Sequence, residues 1–190
     1  MYQMIYMAHF LTLNKGDIDM NTTVYFAKTK PNARIPSKRD EDAGFDIYAC
    51  FDDDYIVIKP HETKLIPTGI VCACDKDYCL ILKERGSTGV FGLAQRAGVI
   101  DSGYRGEIFV PLTNTSDSAI AILRNFEAKL NINWCEWGSC GHGKCYLYEK
   151  AIAQAIVVPV PRTEVKEITY DELQAISSER GDGALGSSGK

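Results

Sequence analysis

Residues 55–82 read YIVIKPHETKLIPTGIVCACDKDYCLIL, and this stretch decides the fold class. Its apolar runs, Tyr55–Ile58, Lys64–Ile66, Ile70–Cys74 and Cys79–Leu82, are each cut short by Pro, Gly or Asp. None approaches the 10–12 residues that a helix would need to declare itself by pattern. The same rhythm continues outward in both directions. Thr22–Lys28 alternates in strand fashion before Pro31 and Pro36 punctuate an extended segment, and Phe45–Ala49, Gly98–Ile100, Glu107–Leu112 and Ala119–Leu123 are further short runs. Ala151–Val160 is another strand candidate, ending among Pro159 and Pro161. Many short strands separated by Gly-rich turns predict an all-β sandwich, barrel or jelly roll. One short helix is expected within Glu167–Ser177, with Leu173 and Ile176 on one side.

The chain of 190 residues suits one domain, and its 45% apolar and 24% charged content excludes a disordered protein. Lys plus Arg is 21 and Asp plus Glu is 25, a formal charge of −4. That balance opposes direct gripping of a nucleic-acid backbone, while leaving room for a local basic pocket. The seven cysteines are an odd set, and the opening residues lack the basic region and cleavage site of a signal peptide. The opening apolar run is too short to span a bilayer. These features predict a soluble protein, cytoplasmic or otherwise intracellular, with no membrane partner. Residues 1–19 read as an N-terminal extension and Met20 as an alternative start. Residues 20–179 read as the β domain, with an insertion at about 127–148. Residues 180–190 read as a flexible Gly/Ser-rich arm.

Three segments carry chemistry. In Leu82–Gly89, Arg85 is followed by Gly86, Ser87, Thr88 and Gly89, which combines a guanidinium, two hydroxyls and open backbone N–H groups suited to phosphate oxygens. The spacing is not that of a Walker A loop, and an exposed turn is the alternative. In Ala97–Ile108, Asp101 stands at the rim of an apolar run, placed to orient a water as general base, with the flat ring of Tyr104 three residues on. A hairpin turn with Asp101 as its capping residue fits the same letters. The C-terminal Arg180–Gly189 again joins one Arg to Gly and Ser, as a second jaw for a polyphosphate or a plain tail. Within the insertion, Cys135, Cys140, His142 and Cys145 could hold zinc, although C-x4-C-x-H-x2-C lacks a paired CxxC; a hairpin extension is the alternative. Cys72, Cys74 and Cys79 fall on predicted strands and are expected in the core.

In order, these pieces resemble the five motifs of the trimeric dUTP pyrophosphatases, the dUTPase family. Asp42–Ala49 resembles the first, Arg85–Gly89 the second, Gly98–Ile108 the third, Ile152–Gln154 the fourth and Arg180–Gly189 the fifth. The resemblance implies a jelly-roll or distorted β-barrel, a homotrimer with active sites at subunit interfaces, and Mg²⁺-assisted hydrolysis of dUTP to dUMP and pyrophosphate. It makes Asp101 the base for water attack on the α-phosphorus, and Gln95 the amide that holds a water near uracil. Gly98, Val99 and Ile100 would read uracil through main-chain groups, and Tyr104 would exclude a ribose 2′-hydroxyl. Arg85, Gly86, Ser87, Thr88 and Gln154 would hold phosphates, and Asp46 would support the sugar and phosphate region. Arg180, Leu185, Gly186, Ser187 and Ser188 would close over a neighbouring subunit's site. Mg²⁺ would be held mainly through substrate phosphates and water.

The chain departs from the family at four places: Gly86 follows Arg85 where a serine is common, Glu149-Lys150-Ala151 replaces a Gly-Asp-Arg, Leu185 replaces an aromatic, and the Cys/Trp insertion has no usual counterpart. A dCTP deaminase of the same fold, with or without a coupled pyrophosphatase step, and a catalytically weak nucleotide-binding regulator remain the competing readings.

Overall fold

The computed structural model describes residues 22–139 and 143–181. The short runs fold as strands. They are β1 (Tyr25–Lys28), β2 (Gly44–Ile47), β3 (Tyr55–Ile58), β4 (Thr63–Pro67), β5 (Ile70–Ala73) and β6 (Tyr78–Lys83). A six-residue helix, α1 (Gly86–Phe91), is followed by β7 (Leu93–Gln95), β8 (Val99–Ile100), β9 (Phe109–Asn114) and β10 (Ile120–Leu123). Two 3₁₀ turns, Glu127–Asn131 and Trp134–Trp137, precede β11 (Lys144–Leu147) and β12 (Ala153–Pro159). The strands form four sheets, ordered β1-β5, β11-β10-β3, β2-β12-β6-β8 and β4-β9-β7. All pairings are antiparallel except that of β10 with β11. This is the β-rich jelly-roll architecture expected from the sequence. Among the described residues, no helix is long and apolar enough to cross a membrane.

The inward residues of these strands make one core, in which Ile47, Ile58, Ile66, Leu80, Leu82 and Leu112 are fully buried. Strand β10 shows why its sequence, IAIL, does not alternate. Ile120 and Ile122 face that core, while Ala121 and Leu123 face a second cluster with Val57, Ala119, Ala128 and Ile132. A strand covered on both sides reads as a continuous apolar run. The second cover is the insertion itself, with Trp134 and Trp137 packed on the cluster. The ammonium groups of Lys59 and Lys64 lie 5.5 and 5.8 Å from the Trp137 ring centroid. The insertion is therefore more than a hairpin: it folds over its own chain and returns as β11 beside β10. Cys135 is exposed and Cys145 half-buried, whereas Cys140 and His142 of the predicted zinc set lie outside the described residues. Cys72 is buried in the main core and Cys74 packs against it, and burial pushes both thiols' pKa up. Cys79 is half-buried.

One register positions the candidate site. Gln154 on β12 stands opposite Asp46 on β2 and opposite Lys83 on β6, so three neighbouring strands present side chains on one face. From Lys83 the chain runs through Glu84 and Arg85 into α1, where the sequence predicts only a turn. Thr88 explains the helix. Its buried hydroxyl accepts the Arg85 N–H and donates to the Arg85 carbonyl, both at 3.0 Å. Gly92, at φ 97°, ends it in the left-handed region, which a Cβ would disfavour.

From Pro161 onward the described residues, 161–181, belong to a second unit. It holds α2 (Tyr170–Gln174), inside the predicted Glu167–Ser177. Thr169 caps it, accepting the Glu172 N–H at 3.3 Å while the Glu172 carboxylate accepts the Thr169 N–H at 2.8 Å.

Candidate active site

The first half of the site gathers at the ends of β2, β12 and β6. Arg85 Nε lies 3.0 Å from Asp46 Oδ1, with both side chains one-third exposed. Gln154 Nε2 donates to the Glu84 carbonyl at 2.9 Å, which ties β12 to the residue before Arg85. These side chains line a cavity of about 630 Å³ that the segment before β2 completes with Ser37, Arg39 and Asp42. Asp46 N–H donates to the Ser37 carbonyl at 2.9 Å, closing that segment onto the strand. Arg39 grips Asp42 through two guanidinium nitrogens, each at 2.9 Å, and holds that carboxyl below its ordinary pKa.

The cavity wall carries Lys38, Arg39 and Arg85 against Glu41, Asp42 and Asp46, three cations against three anions. Two of the cations are already paired. A polyphosphate entering this wall needs counter-charge from elsewhere, a role suited to a hard cation that travels on phosphate oxygens. Among the described residues, no three His, Cys, Asp or Glu side chains converge as a metal-binding group.

The second half is the hairpin of the third motif. Gly98 approaches β6 so closely that a Cβ there would stand 2.4 Å from the Leu82 carbonyl oxygen. The Leu82 N–H donates to the Gly98 carbonyl at 2.7 Å, and the Gln95 amide lies beside the same glycine. Gln95 is itself held by its N–H to Glu84 Oε1 at 3.2 Å. Past Val99 and Ile100 the chain turns at Asp101, whose carbonyl accepts the Tyr104 N–H at 3.0 Å, leaving Asp101 exposed. Val99, Ile100, Asp101 and Tyr104 line a separate cavity of about 190 Å³.

The structure thus brings Asp46, Arg85 and Gln154 together, and brings Asp101 together with Tyr104. The two cavities share no lining residue. Gly86 and Ser87 are exposed at the start of α1, with open space above Gly86, whereas Thr88 is buried with its hydroxyl engaged on the Arg85 backbone. Arg180 belongs to the second unit, and Leu185, Gly186, Ser187 and Ser188 lie outside the described residues. Ser37, Arg39 and Asp42 were not singled out as cavity-lining residues by sequence. The available signal was the basic pair Lys38-Arg39 three residues before Asp42, a spacing that allows an ion pair within one turn.

Comparison with known proteins bears on both halves. Residues 31–125 match the dUTPase family profile. The deoxyuridine 5'-triphosphate nucleotidohydrolase of Nautilia profundicola is 33% identical over 167 residues, covering 86% of this chain and 96% of that protein. The protein of the same name from Mycolicibacterium gilvum is 30% identical over 175 residues, covering 90% and 97%. In fold, the chain is similar to the Staphylococcus bacteriophage 80alpha dUTPase with dUPNHPP, at a TM-score of 0.67 and 24% identity, over 88% of this chain and 99% of that one. With its β architecture and the first three motifs inside or beside these cavities, the chain belongs to the dUTPase family.

Proposed function

We propose that this chain hydrolyses dUTP to dUMP and pyrophosphate, working as a homotrimer whose active sites lie between subunits. One observation carries the reading: two half-sites in separate cavities of a chain that corresponds to 96% of a dUTP nucleotidohydrolase's length. A neighbouring copy that supplies the hairpin would join Asp101 to another chain's Arg85.

In this mechanism the main chain of Gly98, Val99 and Ile100 reads uracil, with Gln95 beside it holding a water. The Tyr104 ring packs against deoxyribose. Arg85, the backbone of Gly86, the Ser87 hydroxyl and Gln154 receive the phosphates, while Asp46 aims the guanidinium. Thr88 serves by holding Arg85's backbone, because its hydroxyl is already occupied. Asp101 accepts a proton as the water oxygen bonds to the α-phosphorus. The bond from that phosphorus to the bridging oxygen breaks, and pyrophosphate leaves with the electron pair. Mg²⁺ bound to the triphosphate would offset charge that the paired wall of the cavity leaves uncompensated. The arm that carries Arg180, Leu185, Gly186, Ser187 and Ser188 would close over a neighbouring subunit's site, add donors there and exclude water.

Product analysis with Mg²⁺ tests the proposal against dCTP deamination. Pyrophosphate and dUMP from dUTP, with no ammonia from dCTP, is the expected result. Ammonia from dCTP, or no pyrophosphate from dUTP, would overturn it.

A further inference from the structure

The Tyr104 ring is fixed from within its own loop, by Glu107, which lines the same cavity. Its hydroxyl donates to the Glu107 carbonyl at 3.0 Å, folding the side chain back along its own loop. The ring lies so close over Gly106 that a Cβ there would stand 2.4 Å from Tyr104 Oη and 2.6 Å from Cζ. No side chain fits at 106 without displacing the ring.

Glu107, in turn, reaches out of the loop. Its Oε1 accepts the N–H groups of Gly69 at 2.8 Å and Thr68 at 3.1 Å, two charge-assisted bonds to the turn between β4 and β5. That turn cannot yield. Gly69 has φ 65°, and a Cβ on it would stand 2.8 Å from Ala33 Cβ and 3.0 Å from Cys50 Sγ. Buried Thr68 donates its hydroxyl to the Ile108 carbonyl at 2.6 Å, and the Ile108 N–H donates to the Ile70 carbonyl at 2.8 Å. A rigid turn therefore holds Glu107 by its side chain, and Glu107 holds Tyr104 by its carbonyl.

We propose that Glu107 is a specificity-positioning residue, which with Gly106 pins the Tyr104 ring so that a 2′-hydroxyl cannot push it aside. The proposal rests on the reading of Tyr104 as the wall against deoxyribose. A steric wall rejects one added oxygen only if it cannot retreat by about an ångström, since packing contacts fall away over that distance. The latch supplies that stiffness. It also explains the use of a tyrosine where a bare ring would give the same area, because only the hydroxyl reaches the Glu107 carbonyl.

The test is the ratio of kcat/KM for dUTP to that for UTP in the full-length chain, for wild type, Glu107→Gln, Gly106→Ala, Tyr104→Phe and Tyr104→Ala. Glu107→Gln keeps kcat/KM for dUTP within about threefold and lowers the dUTP:UTP ratio about tenfold by raising activity on UTP, the scale of one weakened charge-assisted bond. Gly106→Ala and Tyr104→Phe lower the ratio in the same direction. Tyr104→Phe leaves the Glu107 anchor in place and keeps the test open should Glu107→Gln fail to fold. An unchanged ratio in these three variants, with discrimination lost in Tyr104→Ala, overturns the latch alone. An unchanged ratio in Tyr104→Ala overturns the wall beneath it, and equal losses on both nucleotides in Glu107→Gln also contradict the proposal.

Discussion

Arg85 and Asp46 meet at 3.0 Å, Nε to Oδ1, because the strands that lead to them both flank β12. The pair lets the guanidinium keep its terminal nitrogens for a ligand while its Nε is anchored. Asp46→Asn keeps the shape and removes the charge, so kcat/KM for dUTP should fall about one to two orders of magnitude, the scale of 1.5–3 kcal/mol for a hydrogen bond to a charged group. Steady-state kinetics check this. Arg85→Lys should not restore function to any Asp46 variant, since an ammonium cannot anchor and donate through a planar fork.

Thr88 and Ser87 are neighbours with opposite expected phenotypes. Thr88→Val removes the bonds that hold Arg85's backbone and should lower stability by about 1–2 kcal/mol, seen in denaturant unfolding. Ser87→Ala, at an exposed position, should leave stability within about 0.5 kcal/mol while lowering kcat/KM for dUTP roughly tenfold.

Glu84 links Gln95, through its carboxylate, to Gln154, through its carbonyl. Its own backbone N–H is the largest influence lowering its pKa, and burial opposes this. Lys83 and the Gln95 N–H lower it further. A carboxyl depressed in the folded state adds stability above its unfolded value, about 4.3, and loses that stability as pH falls through the folded value. Glu84→Gln should therefore flatten the acid limb of stability below about pH 4.3, measured by unfolding at a series of pH values. Parallel acid limbs for variant and wild type would contradict it.

Much of this fold was legible because each strand is bounded by residues that cannot continue it. Tyr55–Ile58 is found as predicted, and Ile70–Cys74 loses only its last residue. Glu107–Leu112 shifts to Phe109–Asn114 because Glu107 spends its side chain on the turn at 68–69, a partner far away in sequence. The helix Gly86–Phe91 was hidden, since six residues rich in Gly, Ser and Thr carry no period and Thr88 organises them only through backbone bonds. β11 was hidden too, because its parallel partner β10 lies across the insertion. For the site, residue types pointed to Arg85 and Asp101, and the family resemblance added Asp46 and Gln154. Letters alone did not separate the occupied hydroxyl of Thr88 from the exposed Ser87.

The insertion should act on stability, not chemistry. Trp137→Ala removes a ring packed on the second cluster and covered by Lys59 and Lys64. A loss of about 1–3 kcal/mol is expected, with kcat/KM for dUTP within about twofold of wild type. Calorimetry and kinetics on the same preparation check both halves.

Asp101 as the base is the centre of the mechanism, and its most direct test is the single-turnover rate of dUMP formation by Asp101→Asn across dUTP concentration. The mechanism predicts a maximal rate lower by about 10²–10⁴, with half-saturation within a few-fold of wild type. A maximal rate close to wild type would contradict it.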